Sequence, residues 1–196
     1  IEITNNLNKD LNDQNLNKKD FDFDNTLYKG ESTFDFALFV IKKNKRLIKH
    51  LPGILRALGA YKLCLWDEEK FLRELEKYTK VFLENKDLLK ELTQEFWLSH
   101  EKNLYLNMLE KVKFNDVIIT ASPEFLMMGI KNRLNTKHIL CTKIDFDKGK
   151  ITWLNFGKNK VLCFKKVYKN KKIKNFYTDS YNDKPFMDFS DNVYLV

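Results

Sequence analysis

Apolar and polar residues alternate with a period of two in the stretch FDFD, Phe21 to Asp24. Successive side chains of an extended strand point to opposite faces, so this spacing sends both carboxylates one way and both rings the other. Asn25 and Thr26 end the alternation, and Lys29-Gly30 marks a turn. From Phe34 to about Lys113 the apolar residues recur at helical spacing. Phe34, Leu38, Ile41 and Leu47 begin an amphipathic helix, Pro52 starts a second, and Asp67-Glu68-Glu69 reads as an acidic helix start. Leu88 to Leu109 reads as one long helix carrying Phe96, Trp97 and Tyr105. Val117 to Thr120 is the next predicted strand. Ser122-Pro123-Glu124 then predicts a helix start, with Ser122 as N-cap. Ile139–Thr142 reads as a strand, and Ile144–Leu154 as a hairpin turning at Asp147-Lys148-Gly149. A helix over Lys158–Tyr168, a strand over Ile173–Tyr177, a helix over Asp183–Ser190 and a strand over Asn192–Val196 complete the pattern. Strands that alternate with helices predict an α/β fold. Residues 1–18, rich in Asn, Asp and Lys, are too polar to bury much apolar area and predict a disordered or loosely attached tail.

Three of these strands end in polar residues: Asp22 and Asp24 after the first, Thr120 after the second, and Asp179 and Asp183 after Ile173–Tyr177. Open α/β sheets place their sites at the carboxyl ends of strands, so four carboxylates and a hydroxyl are expected in one crevice. Carboxylates at such distances repel unless a cation or a shared proton lies between them. A hard cation with oxygen ligands, Mg²⁺ above all, resolves that conflict. The alternative for the first stretch alone is a half-buried strand with a solvated acidic face.

Composition narrows the classes further. The chain has 196 residues, 43% of them hydrophobic, which suits one large domain or a core with a smaller inserted lobe. A net charge of +8 favours anionic partners. Cys64, Cys141 and Cys163 are odd in number and lack CxxC spacing, which argues against a disulfide framework and for a reducing compartment. His50, His100 and His138 show no metal-ligand spacing and read as structural. No apolar run is long enough to span a membrane and the polar N-terminus has no secretory pattern, so a cytoplasmic location is expected.

On these residues the chain resembles the haloacid dehalogenase-like phosphatase superfamily. FDFDNTL looks like its first motif, DxDxT; Thr120 in VIITAS matches the second; Lys160 in GKNKVL matches the third; the acidic pair in TDSYND matches the fourth. The resemblance runs from Phe21 to Val196. It implies a three-layer Rossmann-like parallel-sheet core, residues 19–33 and 114–196, with an α-helical cap inserted over 34–113. That arrangement is similar to the subgroup containing phosphoserine phosphatase.

By the same resemblance Asp22 is a nucleophile that forms an aspartyl-phosphate, and Asp24 is the general acid and then the base. Mg²⁺ is held by Asp22, the Asp24 carbonyl and Asp179, with Asp183 in support directly or through water. Thr120 and Lys160 bind the phosphoryl group; Lys158 competes for the lysine role, and Lys160 is preferred because Val161, Phe164 and Tyr168 continue the helix from it. Glu31 matches the position that contacts a substrate amine in phosphoserine phosphatases; its alternative is a solvated hinge residue. The ASPEF and SYNDKPF segments depart from phosphoserine phosphatase and resemble members proposed to act on other phosphomonoesters, phospholipid headgroups included. The expected function is Mg²⁺-dependent hydrolysis of a small phosphorylated metabolite or lipid headgroup. The alternatives are a phosphotransferase using the same intermediate, or a basic module binding nucleic acid or an anionic surface. Nucleic acid is not the expected partner, because the Lys165–Lys174 run looks like a solvated helix and turn.

Overall fold

A computed structural model describes residues 19–63, 65–83, 86–169 and 171–196. The expected tail at 1–18 lies outside the described residues, as does Cys64. Six strands form one sheet in the order β4-β3-β2-β1-β5-β6, where β1 is Lys19–Phe21, β2 Val117–Pro123, β3 His138–Asp145, β4 Lys150–Trp153, β5 Ile173–Thr178 and β6 Ser190–Leu195. All pairings are parallel except β3 with β4, which form the predicted hairpin at the sheet edge. The fold is α/β, with helices on both faces of a mostly parallel sheet. The chain order reverses at β1, the topological switch point where such sheets bind ligands.

β1 is short and polar, yet it is the central strand, because β2 and β5 hydrogen-bond both its edges. Asp20 stands in register with Val117 on one side and Phe176 on the other. Its face of the sheet, with Val117, Ile119, Leu140 and Phe176, packs under helices α7 (Lys158–Tyr168) and α8 (Lys184–Met187) through Phe164, Tyr168 and Phe186. Asp20 is thus buried among apolar residues; that burial, with Asp116 nearby, raises its carboxyl well above the usual range. Phe21 and Phe23 point to the opposite face. There they join Phe36 and Val40 of α1 (Ser32–Lys43), Phe96 and Trp97 of α4 (Lys86–His100) and Leu126 of α6 (Glu124–Ile130). α1 turns its Ser32, Phe36 and Val40 row inward rather than the expected Phe34 and Leu38.

Helices α2 (Leu51–Lys62) and α3 (Glu68–Leu83) form a separate lobe. They meet at Gly53, where a Cβ would lie 1.9 Å from the Tyr78 hydroxyl, and through the stacked rings of Tyr61 and Phe71 at 4.2 Å. The lobe packs across Leu154 and Phe156, the segment leading into α7.

The expected helix Leu88–Leu109 ends at His100 instead. Residues Glu101–Asn103 form a 3-10 turn, Leu104 bridges Tyr28, and α5 is only Leu106–Leu109. The periodicity continues through the break, but the Tyr105 amide donates to the Leu27 carbonyl and the Lys29 amide to the Asn103 carbonyl. These tertiary bonds outweigh the local preference. The expected helix Asp183–Ser190 is likewise shorter, a 3-10 turn over Tyr181–Asp183 followed by α8.

Candidate active site

Beyond β1 the chain closes on itself. The Thr26, Leu27 and Tyr28 amides all donate to the Phe23 carbonyl, and Asn25 exchanges backbone and side-chain hydrogen bonds with Gly30. Gly30 has φ +116°, and a Cβ there would sit 2.9 Å from Asp35 Oδ2, so a glycine is required. This turn brings the start of α1 back onto Asp24. The Ser32 amide donates to Asp24 Oδ1 at 2.7 Å, at the positive end of the helix dipole.

The other Asp24 oxygen accepts from Ser122 Oγ at 2.8 Å. Ser122 Oγ also meets Ser32 Oγ at 2.8 Å and Thr33 Oγ1 at 2.9 Å. Ser122 is therefore no N-cap: β2 runs through it to Pro123, which precedes α6, and its hydroxyl is committed to Asp24. Burial raises the Asp24 carboxyl, hydrogen bonds from Ser32 and Ser122 oppose the rise, and Glu31 adds to it. Asp24→Asn is expected to slow turnover by roughly 10²–10⁴-fold. Ser122→Ala should leave the fold intact at a cost of about 1–3 kcal/mol. Single-turnover rates and thermal melts of the two proteins check both; wild-type kinetics in Asp24→Asn would exclude an acid–base role.

Asp22 follows β1 directly, and its amide donates to the Tyr177 carbonyl of β5 at 2.9 Å. Lys160 Nζ lies 2.9 Å from Asp22 Oδ1 and within 2.8 Å of both Asp183 oxygens. All three groups are buried, and Thr178 Oγ1 donates to Asp183 at 3.1 Å. Lys158 is exposed. Burial pushes the Asp22 carboxyl up to about 8; Lys160 opposes this, and Asp183 and Asp24 add to it. Burial alone would lower Lys160, but Asp22 and Asp183 together hold it well above the ordinary lysine value.

Asp179, half-buried after β5, is raised by burial and then by Glu31 and Asp183. Glu31 is exposed at the start of α1, and Asn25 Nδ2 reaches it at 3.5 Å. Its charge adds to the rise of both Asp24 and Asp179. Thr120 is fully buried, and its hydroxyl accepts from the Ser122 amide at 3.0 Å.

Several supporting residues carry no signal in the sequence. Asn155 is fully buried and donates to the Thr120 and Leu140 carbonyls, both at 3.0 Å, tying the tips of β2 and β3. Asn159, beside Lys160, donates to both Glu68 oxygens at 2.9 Å and fastens the α2–α3 lobe to the N-terminus of α7. Ser32 and Thr33 complete the hydroxyl cluster; TASP reads equally well as a capping pattern, which hides the Ser122 contact.

Asp22 and Asp183 face the buried ammonium of Lys160, and Asp24 and Asp179 lie near enough to act electrostatically on that group. Among the described residues no three His, Cys, Asp or Glu side chains converge closely enough to enclose an ion by themselves. Any cation here would use backbone carbonyl or water oxygens beside two carboxylates. His100 stacks on Phe96 at 4.2 Å and His138 packs on Tyr168 at 5.9 Å, away from this crevice.

A family model for haloacid dehalogenase-like hydrolases matches residues 21–188. A solved protein of unknown function from Bordetella pertussis Tohama I is 17% identical, with 87% of this chain and 85% of that chain covered and a TM-score of 0.72. A phosphoserine phosphohydrolase-like protein from Francisella tularensis subsp. tularensis SCHU S4 is 19% identical, covering 87% and 82%, with a TM-score of 0.55. A probable phosphoserine phosphatase from Vibrio cholerae is 13% identical, covering 89% of this chain and 55% of that one, with a TM-score of 0.54. At these identities the similarity is one of fold. No curated protein matches.

Proposed function

The chain belongs to the haloacid dehalogenase-like hydrolases, and from that premise we propose that it is a phosphatase that cleaves a phosphomonoester through an aspartyl-phosphate on Asp22. The observation that carries the reading is the division of labour between two carboxylates two residues apart. Asp22 faces a buried ammonium, and Asp24 has both oxygens fixed by donors from α1 and β2. Phosphoryl transfer asks a protein mainly for positioning and charge neutralisation. In this reading Asp22 attacks phosphorus as the ester P–O bond breaks, and Asp24 gives its proton to the leaving oxygen. Asp24 then takes a proton from water, which attacks the acyl phosphate, releases inorganic phosphate and restores Asp22. Thr120 and the Ala121 amide hold phosphoryl oxygens, and Lys160 offsets their charge.

Mg²⁺ suits the donors. They are all oxygen, and the carboxylates raise one another's proton affinity, as a site built for a missing positive charge would. The Asp22 and Asp179 carboxylates and the Asp24 carbonyl would hold it; Asp183, committed to Lys160 and Thr178, would act at one remove. When bound, the ion neutralises charge on the phosphoryl group. Asp179→Ala is expected to raise the Mg²⁺ concentration for half-maximal activity, and chelation to inactivate the wild type reversibly. Full activity in excess chelator would remove the metal from the reading.

In this reading Glu31, at the start of α1, contacts the leaving group. Glu31→Gln is expected to change the ranking of substrates, with the largest loss on amine-bearing esters, because a neutral amide gives up the charge-assisted hydrogen bond. A uniform loss across amine-bearing and amine-free esters would assign Glu31 to the chemistry instead. Phosphate release from a panel of phosphomonoesters with Mg²⁺, read against Asp22→Asn protein, tests the whole proposal. No release above that blank across the panel would reject it. The free buried thiol of Cys141, pushed up to about 12 by burial, and the half-buried Cys163 suit a reducing compartment. Among the described residues no helix is long and apolar enough to cross a membrane.

A further inference from the structure

The positive charge of this chain falls largely in two acid-free stretches, one of ten lysines over Lys148–Lys174 and one before α3. Between Ile41 and Asp67 there are seven Lys or Arg residues and no Asp or Glu, in a chain whose net charge is +8. The segment comprises the 3-10 turn Lys45–His50, α2 and the turn into α3. Lys45, Arg46 and Lys49 are exposed, and among the described residues no carboxylate pairs with their side chains.

Apolar side chains are exposed in the same segment. Ile48 is 59% exposed, Leu55 43%, Leu63 71% and Leu65 72%. On α2 the inward face is Ile54, Ala57 and Tyr61, which pack on α3 and Leu154. Leu55, Gly59 and Leu63 follow at i, i+4 and i+8, one outward row, and a Cβ at Gly59 would meet nothing within 4 Å. The turn is not loose: the Leu65 and Trp66 amides donate to the Ala60 carbonyl at 2.9 and 3.3 Å, which fixes both leucines outward. Arg56 and Lys70 lie over the Trp66 ring at 5.6 and 4.9 Å.

We propose that the outer row of α2, together with the 3-10 turn before it and the turn after it, docks on an anionic membrane surface, with Leu55, Leu63 and Leu65 entering the interface and Lys45, Arg46 and Lys49 meeting lipid phosphates. Exposed aliphatic residues beside unpaired cations are the chemistry of interfacial binding. A nucleic-acid groove would need a free aromatic platform for bases; the ring at this turn, Trp66, already carries two cations. The inner side of the same lobe is fastened to α7 next to Lys160 through Glu68 and Asn159. A docked lobe would therefore hold the crevice close to the lipid headgroups.

The test is co-sedimentation of the full chain with phosphatidylcholine vesicles, with and without about 30% phosphatidylglycerol. Wild type is expected to bind the anionic vesicles, with affinity falling as salt rises, and to ignore the neutral ones. Each cation removed should weaken binding about fivefold, so Lys45→Gln/Lys49→Gln should lose about 25-fold. Leu63→Ser/Leu65→Ser and Gly59→Glu should each weaken binding without changing the circular dichroism spectrum or the melting curve. Absence of sedimentation, equal binding to neutral vesicles, or unchanged binding in all three variants would overturn the proposal. So would tight binding to single-stranded RNA that displaces the vesicles. None of these readouts requires turnover, so the result stands apart from whether the chain proves to be a phosphatase.

Discussion

Asp22→Asn is expected to abolish turnover and, in chelator, to raise the melting temperature of the same protein. The loss of rate should be on the order of 10⁶-fold, the size found when the nucleophile is removed from catalytic groups that act as a unit. The gain in stability follows from the position of the carboxyl. Burial and the neighbouring acids push Asp22 up to about 8, against about 4 in an unfolded chain. Between those values the folded protein holds a proton that the unfolded chain has released. The stabilisation from this group is complete below about pH 4 and disappears as pH climbs through about 8. Asparagine has no proton to lose, so the melting temperature of the variant should decline less over that window. Melts across pH 4 to 8 with chelator check the sign. A variant less stable than wild type at pH 8 would show that Lys160 needs the Asp22 charge more than burial opposes it.

Lys160→Met is the second large effect. Its removal leaves Asp22 and Asp183 buried with no ammonium between them. Breaking a buried ion pair from one side costs about 3–5 kcal/mol, and in a chain of this size each kcal/mol lowers the melting temperature by roughly 2–4 °C. A drop on the order of 6–20 °C is expected, with a loss of rate of about 10²–10³-fold from the missing charge on the phosphoryl group. Adding Asp183→Asn should restore part of the stability and none of the rate. If the double variant recovered activity, Lys160 would be a structural counter-ion only.

Much of this arrangement is legible in the sequence because strand ends advertise themselves. FDFD alternates so cleanly that Asp22 and Asp24 could be placed on one face, and the structure puts Phe21 and Phe23 in the opposite core. The sequence favours Lys160 over Lys158 because Val161, Phe164 and Tyr168 continue the helix from it; the helix itself begins at Lys158, and of the two lysines Lys160 is the buried one. What stayed hidden depends on contacts between distant segments. Ser122-Pro123-Glu124 satisfies the rules of a helix cap, but the Asp24 carboxylate, from the turn after β1, took the hydroxyl. The helix after Leu88 has no local reason to stop at His100; the Tyr28–Leu104 bridge stops it. Asp20 has the composition of a solvated residue and is buried because strands pair with both its edges. Asn155 comes from a loop with no periodicity to read, and Glu68 and Asn159 meet from the first turns of two helices far apart in sequence.

β1 has no local partner. Asp20 pairs with Val117 and Phe176, so the central strand of the sheet is the element whose contacts span the longest stretches of chain. Ordering such distant contacts costs loop entropy before any bond forms, and it slows folding. On the ribosome, β1 can pair with β2 once Val117–Pro123 has emerged, but its other edge stays open until Ile173–Thr178 follows. Until then the central strand is half-paired and Phe21 lacks its stacking partner Tyr177. In that interval the nascent chain is a natural client for chaperones. The two carboxylates proposed to do the chemistry take up their positions only when the last parallel strands close around them.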